Sequence, residues 1–355
     1  MRSEAPVGRP RLSRRRLLEG GAALAILGAL PASASAAPRR DDDADWIPPE
    51  EFLADLPRQM QALGVPGIGI AVVEQGRLAW SRGVGVTHAE RRTPVTDATL
   101  FEVASLSKPV FAYAVLQLVD RGQLALDRPL VDYLRPEYLD DNPAAKAWLD
   151  AITVRDVLRH STGLPDWRKD PAHARLTPAV APGTRIDYSG EAFFWLQRVV
   201  ETITGESLDQ AMQRLLFAPA DMRDSSYAWT PQMAERSVYG HRAPDAAAEP
   251  DGSGMPPQML REQWSAAQVV ADRTGTALSA WRYEDAARAL PAVQAIVPPG
   301  LVAWPGDIVA NAAASLRCTV QDYARFMALV VHAVPAEWEL RPATRAAMLT
   351  RQIDV

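Results

Sequence analysis

The sequence has a single cysteine, Cys318, so it offers no pair for a disulfide and no thiolate cluster for a metal. Its five histidines (His88, His160, His173, His241 and His332) are scattered without metal-ligand spacing, and no cofactor or metal is called for. Long apolar runs are missing as well. The longest, from Gly20 to Leu30, is eleven residues, too few to span a bilayer, so no transmembrane anchor is expected. Net charge is only −5, and no basic stripe occurs beyond the first 40 residues, which argues against a nucleic-acid partner. The scarcest feature is lysine: among 38 basic residues only Lys108, Lys146 and Lys169 are lysines, the rest being arginine.

That scarcity directs attention to Ser105-Leu106-Ser107-Lys108. Arginine stays protonated in a protein, whereas a desolvated lysine can give up its proton and act as a base. If a helix begins at or just after Ser105, residues i and i+3 share one face and the amine reaches the hydroxyl. Pro109 supports that start, because proline is tolerated in a first helical turn. The apolar spacing of Val110, Phe111, Ala114, Val115, Leu118 and Val119 is helical, and Gly122 is a stop. The positive end of such a helix favours a developing alkoxide on Ser105. A polar helix terminus with an exposed lysine is the plainer alternative.

The N-terminus reads as an export signal. Arg14-Arg15-Arg16-Leu17-Leu18 resembles a twin-arginine signal, and the short apolar run follows. Ala34-Ser35-Ala36 is a small-residue cleavage site, with Ala32-Ser33-Ala34 as the alternative. The expected division is a signal peptide over 1–36, an acidic tether over 37–49 and one folded domain over 50–355. Periplasmic or extracellular delivery is the expected localisation.

Within the domain, Gly67–Val73 and Leu78–Val84 read as a hairpin around Glu74-Gln75-Gly76-Arg77. Helical segments alternate with Pro-rich loops over about 124–300. Thr153 to Asp156 and Ser207 to Gln210 are capping boxes, the second opening a helix over Leu208–Phe217. Ala192–Thr204 is an amphipathic helix ending at Gly205, and Ala243–Met259 reads as a long surface loop. A last helix runs from Thr319 to His332 with Asp322 in its box. At 355 residues and 48% apolar composition the chain can bury one large core or two modest ones.

Several of these stretches together resemble the serine β-lactamase family, in the branch of class C β-lactamases, D-alanyl-D-alanine peptidases and related esterases. They are Phe101 to Lys108 with the preceding hairpin, Ile152 to Pro165, Pro182 to Gly190, and the small-residue segment Ala312-Ala313-Ala314-Ser315-Leu316. The resemblance covers roughly residues 50 to 332, in the family's order. It implies an α/β plus α fold, an antiparallel sheet with helices and a mostly helical second region. It implies Ser105 as an acylated nucleophile with its backbone N–H as one oxyanion donor. Lys108 would be the activating base, and Tyr188 would pass a proton to the leaving group and help activate water. His160 resembles the family's structural loop histidine.

Two departures bear on substrate. The family usually has Asn two residues after the tyrosine, where its amide holds the substrate's amide; here the position is Gly190. Glu191 is the candidate replacement, with an ordinary first-turn helix glutamate as the alternative. The family's Lys/His-x-Gly strand has no match, and Trp304-Pro305-Gly306 fits a Trp-x-Gly variant only in letters, since proline weakens it as a strand. The remaining strands and the second oxyanion donor are therefore expected beyond Val355, leaving the sheet incomplete. The expected function is an exported serine hydrolase acting on a small-molecule ester, β-lactam or D-amino-acid peptide. The alternative is a non-catalytic member binding cell-wall fragments. Oligomeric state is left open.

Overall fold

The hairpin turn shows how local chemistry sets the first element pair. Gln75 and Gly76 both take positive φ, 49° and 76°, the mirror-image turn whose twist matches antiparallel strands. It joins β1 (Gly67–Glu74) to β2 (Arg77–Gly85), with Glu74 opposite Arg77 and Gly67 opposite Gly85. A side chain at Gly76 would collide with the His332 ring, 2.4 Å from an added Cβ, so the turn also fits closely under a distant helix end.

The computed structural model describes residues 47–89, 92–168, 174–241, 257–332 and 338–353. The expected signal peptide and nearly all of the acidic tether lie outside the described residues, as does most of the expected loop Ala243–Met259.

Helix α1 (Glu50–Leu63) precedes the hairpin and ends at Gly64, whose left-handed φ of 67° closes it. A second sheet follows, built on the short strand β3 (Leu100–Glu102). Then come α2 (Ser107–Asp120), α3 (Pro143–Leu149), α4 (Val154–Leu158), α5 (Gly190–Thr204) and α6 (Leu208–Met212). Strand β4 (Ser237–Val238) is followed by α7 (Pro257–Thr274), α8 (Tyr283–Gln294) and α9 (Pro305–Ile308). Strand β5 (Arg317–Cys318), α10 (Val320–Val331) and α11 (Pro342–Met348) complete the order. The expected class, antiparallel strands with helices and a mostly helical second region, is observed, although the described strands form two small sheets and one pairing, β3 with β4, is parallel. No described helix is long and apolar enough to cross a membrane.

The second sheet has the order β4-β3-β5, with β3 parallel to β4 and antiparallel to β5. It ties the chain just before Ser105 to the segment just before α10. Phe101 faces Cys318, Glu102 faces Arg317, and the Arg317 guanidinium meets the Glu102 carboxylate at 2.5 Å. Helix α10 packs on the hairpin, where Gly69 leaves room for Phe101 and Val320.

The larger core surrounds α2, which is apolar almost all round and therefore buried: Val110, Phe111, Tyr113, Val115 and Leu118 have no exposed surface. α5 packs into the same core through Phe193, Trp195, Leu196 and Val199. A smaller core joins α7, α8 and α9 around Trp281 and Val293.

Both capping boxes form, at Thr153–Asp156 and Ser207–Gln210. The helix after Ser207 departs from expectation, because its α-helical part stops at Met212 and Gln213–Phe217 continues as a wider π turn. The last helix has Thr319 as its N-cap, but the Asp322 carboxylate does not complete the box. It accepts instead from the Asp224 N–H, the Ser225 hydroxyl and Arg325. The loop expected over Ala243–Met259 ends earlier, since α7 already begins at Pro257.

Trp195 is fully buried, and its indole N–H donates to the Leu134 carbonyl at 2.9 Å. Trp195→Ala should therefore cost about 3–5 kcal/mol of stability. Trp148→Ala, on an exposed part of α3, should change it by less than about 0.5 kcal/mol. Urea unfolding followed by circular dichroism measures both.

Candidate active site

The chain leaves β3 through Val103, whose N–H donates to the Leu316 carbonyl at 3.0 Å. Ala104 then adopts a left-handed φ of 46°, a conformation that costs a non-glycine residue on the order of 1 kcal/mol or more and persists only when its surroundings enforce it. Ala104–Leu106 form a single 3₁₀ turn, with Ser105 exposed upon it, and α2 starts at Ser107. Ser107 anchors the turn from below. Its hydroxyl accepts from the Leu316 N–H at 3.0 Å, and its carbonyl accepts from the Tyr227 hydroxyl at 2.6 Å.

Lys108 is only 4% exposed. Its Nζ donates to Ser105 Oγ at 3.1 Å and to the Ala313 carbonyl at 2.9 Å. It also lies 4.6 Å from the centre of the Tyr188 ring and 5.8 Å from that of Phe193. The i,i+3 spacing thus produces the expected contact, although it spans a 3₁₀ turn and the start of an α-helix instead of one continuous helix.

The Ala313 carbonyl was not singled out by residue type. Its segment is held by the buried Gln197 of α5, whose amide donates to the Ala310 carbonyl and accepts from the Ala312 N–H, both at 2.8 Å. Asn311 Oδ1 accepts from the Ala313 N–H at 2.9 Å. The only sequence signal was the run of small residues, which lets this backbone approach the amine.

Tyr188 precedes α5 and is 45% exposed. Its ring, more than its hydroxyl, meets Lys108: among the described residues the hydroxyl makes no hydrogen bond. His160 stacks on the Tyr188 ring, 4.4 Å between centres and 24° between planes. The imidazole is held in place because its Nδ1 accepts from the Ser189 N–H at 3.2 Å. His160 itself sits at φ 57°. Burial, and then the positive charge of Lys108, push its pKa down to about 4, with Asp166 opposing the shift.

Gly190 and Glu191 open α5, with Ser189 as its N-cap accepting from the Ala192 N–H at 3.0 Å. Glu191 is 2% exposed, and its Oε1 accepts from both the backbone N–H and Nε of Arg168, each at 2.9 Å. That oxygen is thereby held in an internal ion pair, while Oε2 is buried without a hydrogen-bond partner among the described residues. A Cβ on Gly190 would lie 2.3 Å from the Trp167 ring, so the position has room for no side chain.

Trp304-Pro305-Gly306 does not form a strand. Proline and glycine begin α9, which belongs to the smaller core. Beside Lys108 a cavity of about 510 Å³ runs along α2, with apolar lining from Leu116, Ile186 and Phe193 and charged lining from Arg155, Arg159 and Arg351. An arrangement of exposed hydroxyl, buried amine and an adjacent cavity can support nucleophilic attack on a carbonyl compound.

The family model described as Beta-lactamase matches residues 53–353. Esterase EstB of Burkholderia gladioli is 29% identical over 228 residues, covering 56% of this chain and 56% of that protein. Penicillin-binding protein 4 of Amycolatopsis lactamdurans is 33% identical over 174 residues, covering 45% and 44%. The chain spans about half the length of these relatives. A class C beta lactamase from Rhodobacter sphaeroides superposes with a TM-score of 0.55 at 20% identity, over 83% of this chain and 68% of that one, which shows a shared fold.

The His160 environment gives a pH dependence with a definite sign. A histidine at about 6.5 in the unfolded chain and about 4 in the folded one binds fewer protons when folded within that window. Its contribution is complete above pH 6.5 and is lost as pH falls toward 4. Thermal stability should decline over that interval, and His160→Asn should remove this part of the slope, since asparagine tolerates left-handed φ and can accept the Ser189 N–H. An NMR titration should place the His160 transition near pH 4; a transition near 6.5 would contradict the buried, stacked imidazole.

Proposed function

The chain belongs to the Beta-lactamase family, and on that premise we propose that it is a serine hydrolase which carries acyl groups on Ser105 and acts on small carboxylic esters. The observation that carries this reading is the hydrogen bond between buried Lys108 and exposed Ser105. In its unprotonated form the amine accepts the Ser105 proton as Oγ bonds to the ester carbonyl carbon. The carbonyl π electrons move to oxygen, giving a tetrahedral oxyanion, for which the Ser105 backbone N–H is one donor.

Collapse of that intermediate breaks the bond to the alcohol oxygen, which takes a proton by way of the Tyr188 hydroxyl. Water then adds to the Ser105 ester and, after a second collapse, releases the carboxylic acid and restores the serine. The exposure of Tyr188 and the closeness of its ring to Lys108 support this assignment.

An ester is preferred to a β-lactam or peptide because Gly190 presents no amide to a substrate amide, and Glu191 is occupied by Arg168. The walls that Leu116, Ile186 and Phe193 give the cavity beside Lys108 suit an apolar part of an acyl or alcohol group. Export belongs to the same reading and is supported by Arg14, Arg15 and the Ala34–Ala36 cleavage site.

A fluorophosphonate probe should label wild-type protein on Ser105, and Ser105→Ala should abolish labelling. Lys108→Arg should slow it by about a hundredfold or more, because arginine cannot take the proton. Labelling of Lys108→Arg at the wild-type rate would remove Lys108 as the base. In the native host, replacing Arg14 and Arg15 by Lys should hold the precursor in the cytoplasm. Unchanged delivery, read by fractionation, would overturn the twin-arginine assignment.

A further inference from the structure

The tripeptide Asp166-Trp167-Arg168 is clamped onto the first turn of α5 from both sides of its central residue. The Gly190 N–H donates to the Asp166 carbonyl at 3.0 Å and to Asp166 Oδ1 at 2.9 Å, while the Glu191 N–H donates to the same carbonyl at 2.9 Å. On the other side Arg168 bonds Glu191 through its backbone N–H and Nε, both at 2.9 Å. Its guanidinium further lies 4.0 Å from the centre of the Tyr138 ring, and the side chain is 6% exposed. Trp167 is therefore fixed by its neighbours.

The indole lies directly over Gly190. An added Cβ there would meet Cζ2, Cε2 and Cη2 of the ring at 2.3, 2.6 and 2.7 Å. Indole and glycine thus form a matched pair, and each is a condition for the other. Even so, Trp167 remains 44% exposed. A tryptophan packed only to fill space would bury that area, at about 25 cal/mol per Å². Here a large apolar face is held rigid and left open to solvent.

Its position links it to the reacting groups. Gly190 follows Tyr188 by two residues, the Tyr188 ring contacts Lys108, and Lys108 contacts Ser105. Tyr188, two residues before Gly190, is itself 45% exposed. Trp167 is not among the residues that line the cavity along α2.

From this geometry we infer that Trp167 is a specificity-determining residue whose indole receives a planar aromatic ring of the substrate. The inference rests on the hydrolase reading and names its substrate class: carboxylic esters that carry an arene. A preordered aromatic face loses little conformational freedom on binding, and ring-on-ring packing adds to the area it covers.

The test uses two isomers, methyl phenylacetate with the ring on the acyl side and benzyl acetate with the ring on the alcohol side, against ethyl acetate, which has none. Wild-type kcat/KM should favour at least one isomer over ethyl acetate. Trp167→Ala should reduce that preference by about tenfold. Gly190→Ala, which displaces the indole while retaining it, should reduce it in the same direction. The exposed Trp148→Ala should leave the preference as it is. Which isomer responds assigns the ring to one arm of the ester.

A binding measurement separates this inference from the hydrolase reading. In Ser105→Ala protein with 15N-labelled tryptophans, the Trp167 indole N–H signal should shift on adding methyl phenylacetate or benzyl acetate and should not shift with ethyl acetate. If no ester is hydrolysed but that signal shifts, the hydrolase reading fails and the aromatic subsite stands. A static Trp167 signal, or a preference unchanged within twofold in both Trp167→Ala and Gly190→Ala, would overturn the inference. Should Trp167→Ala fail to fold, Gly190→Ala and the indole signal decide it.

Discussion

A buried amine has to be given hydrogen-bond acceptors, and much of this structure serves that requirement at Lys108. An amine at 4% exposure without partners would carry a desolvation penalty of several kcal/mol. Two oxygens meet it, one from three residues earlier and one from 205 residues later. The second requires the Ala310–Leu316 backbone to be brought against the start of α2. The three-stranded sheet, the Gln197 amide and the two bonds at Ser107 all act to bring it there. The left-handed Ala104 is tolerated because the same contacts leave the turn no alternative.

One consequence is that Ser105 and its surroundings are not free to adjust independently. The Ser105 hydroxyl, the Ala313 carbonyl and the rings of Tyr188 and Phe193 share a single amine. His160 joins this group as a stacked support whose charged form is disfavoured first by burial and then by the charge of Lys108. Trp167 is held by a different set of contacts, on a loop pinned to the first turn of α5.

The local parts of this arrangement were readable from residue order. Ser105 and Lys108 are three apart, the capping boxes at Thr153 and Ser207 are self-contained, and the Gln75-Gly76 turn declares its own geometry. What escaped reading were contacts made across long separations. Nothing in the letters around Ala313 marks its carbonyl as the second acceptor, and nothing in Trp167 says that it will lie over Gly190. The same reason explains the departures at Asp322 and Glu191. Each occupies a first helical turn, where a local bond was available, and each is drawn to a tertiary partner. The π turn after Met212 also reflects packing, with Leu215, Leu216 and Phe217 all fully buried.

The central claim is that Ser105 forms a covalent ester during turnover. The most direct measurement is to mix the protein with an excess of a 4-nitrophenyl ester, quench with acid within the first turnover, and locate any added acyl group by peptide mass spectrometry. The account expects one acyl group on the peptide containing Ser105, at that residue, decaying once the ester is consumed. Release of 4-nitrophenol with no acylated Ser105, or with the acyl group on another residue, would contradict it.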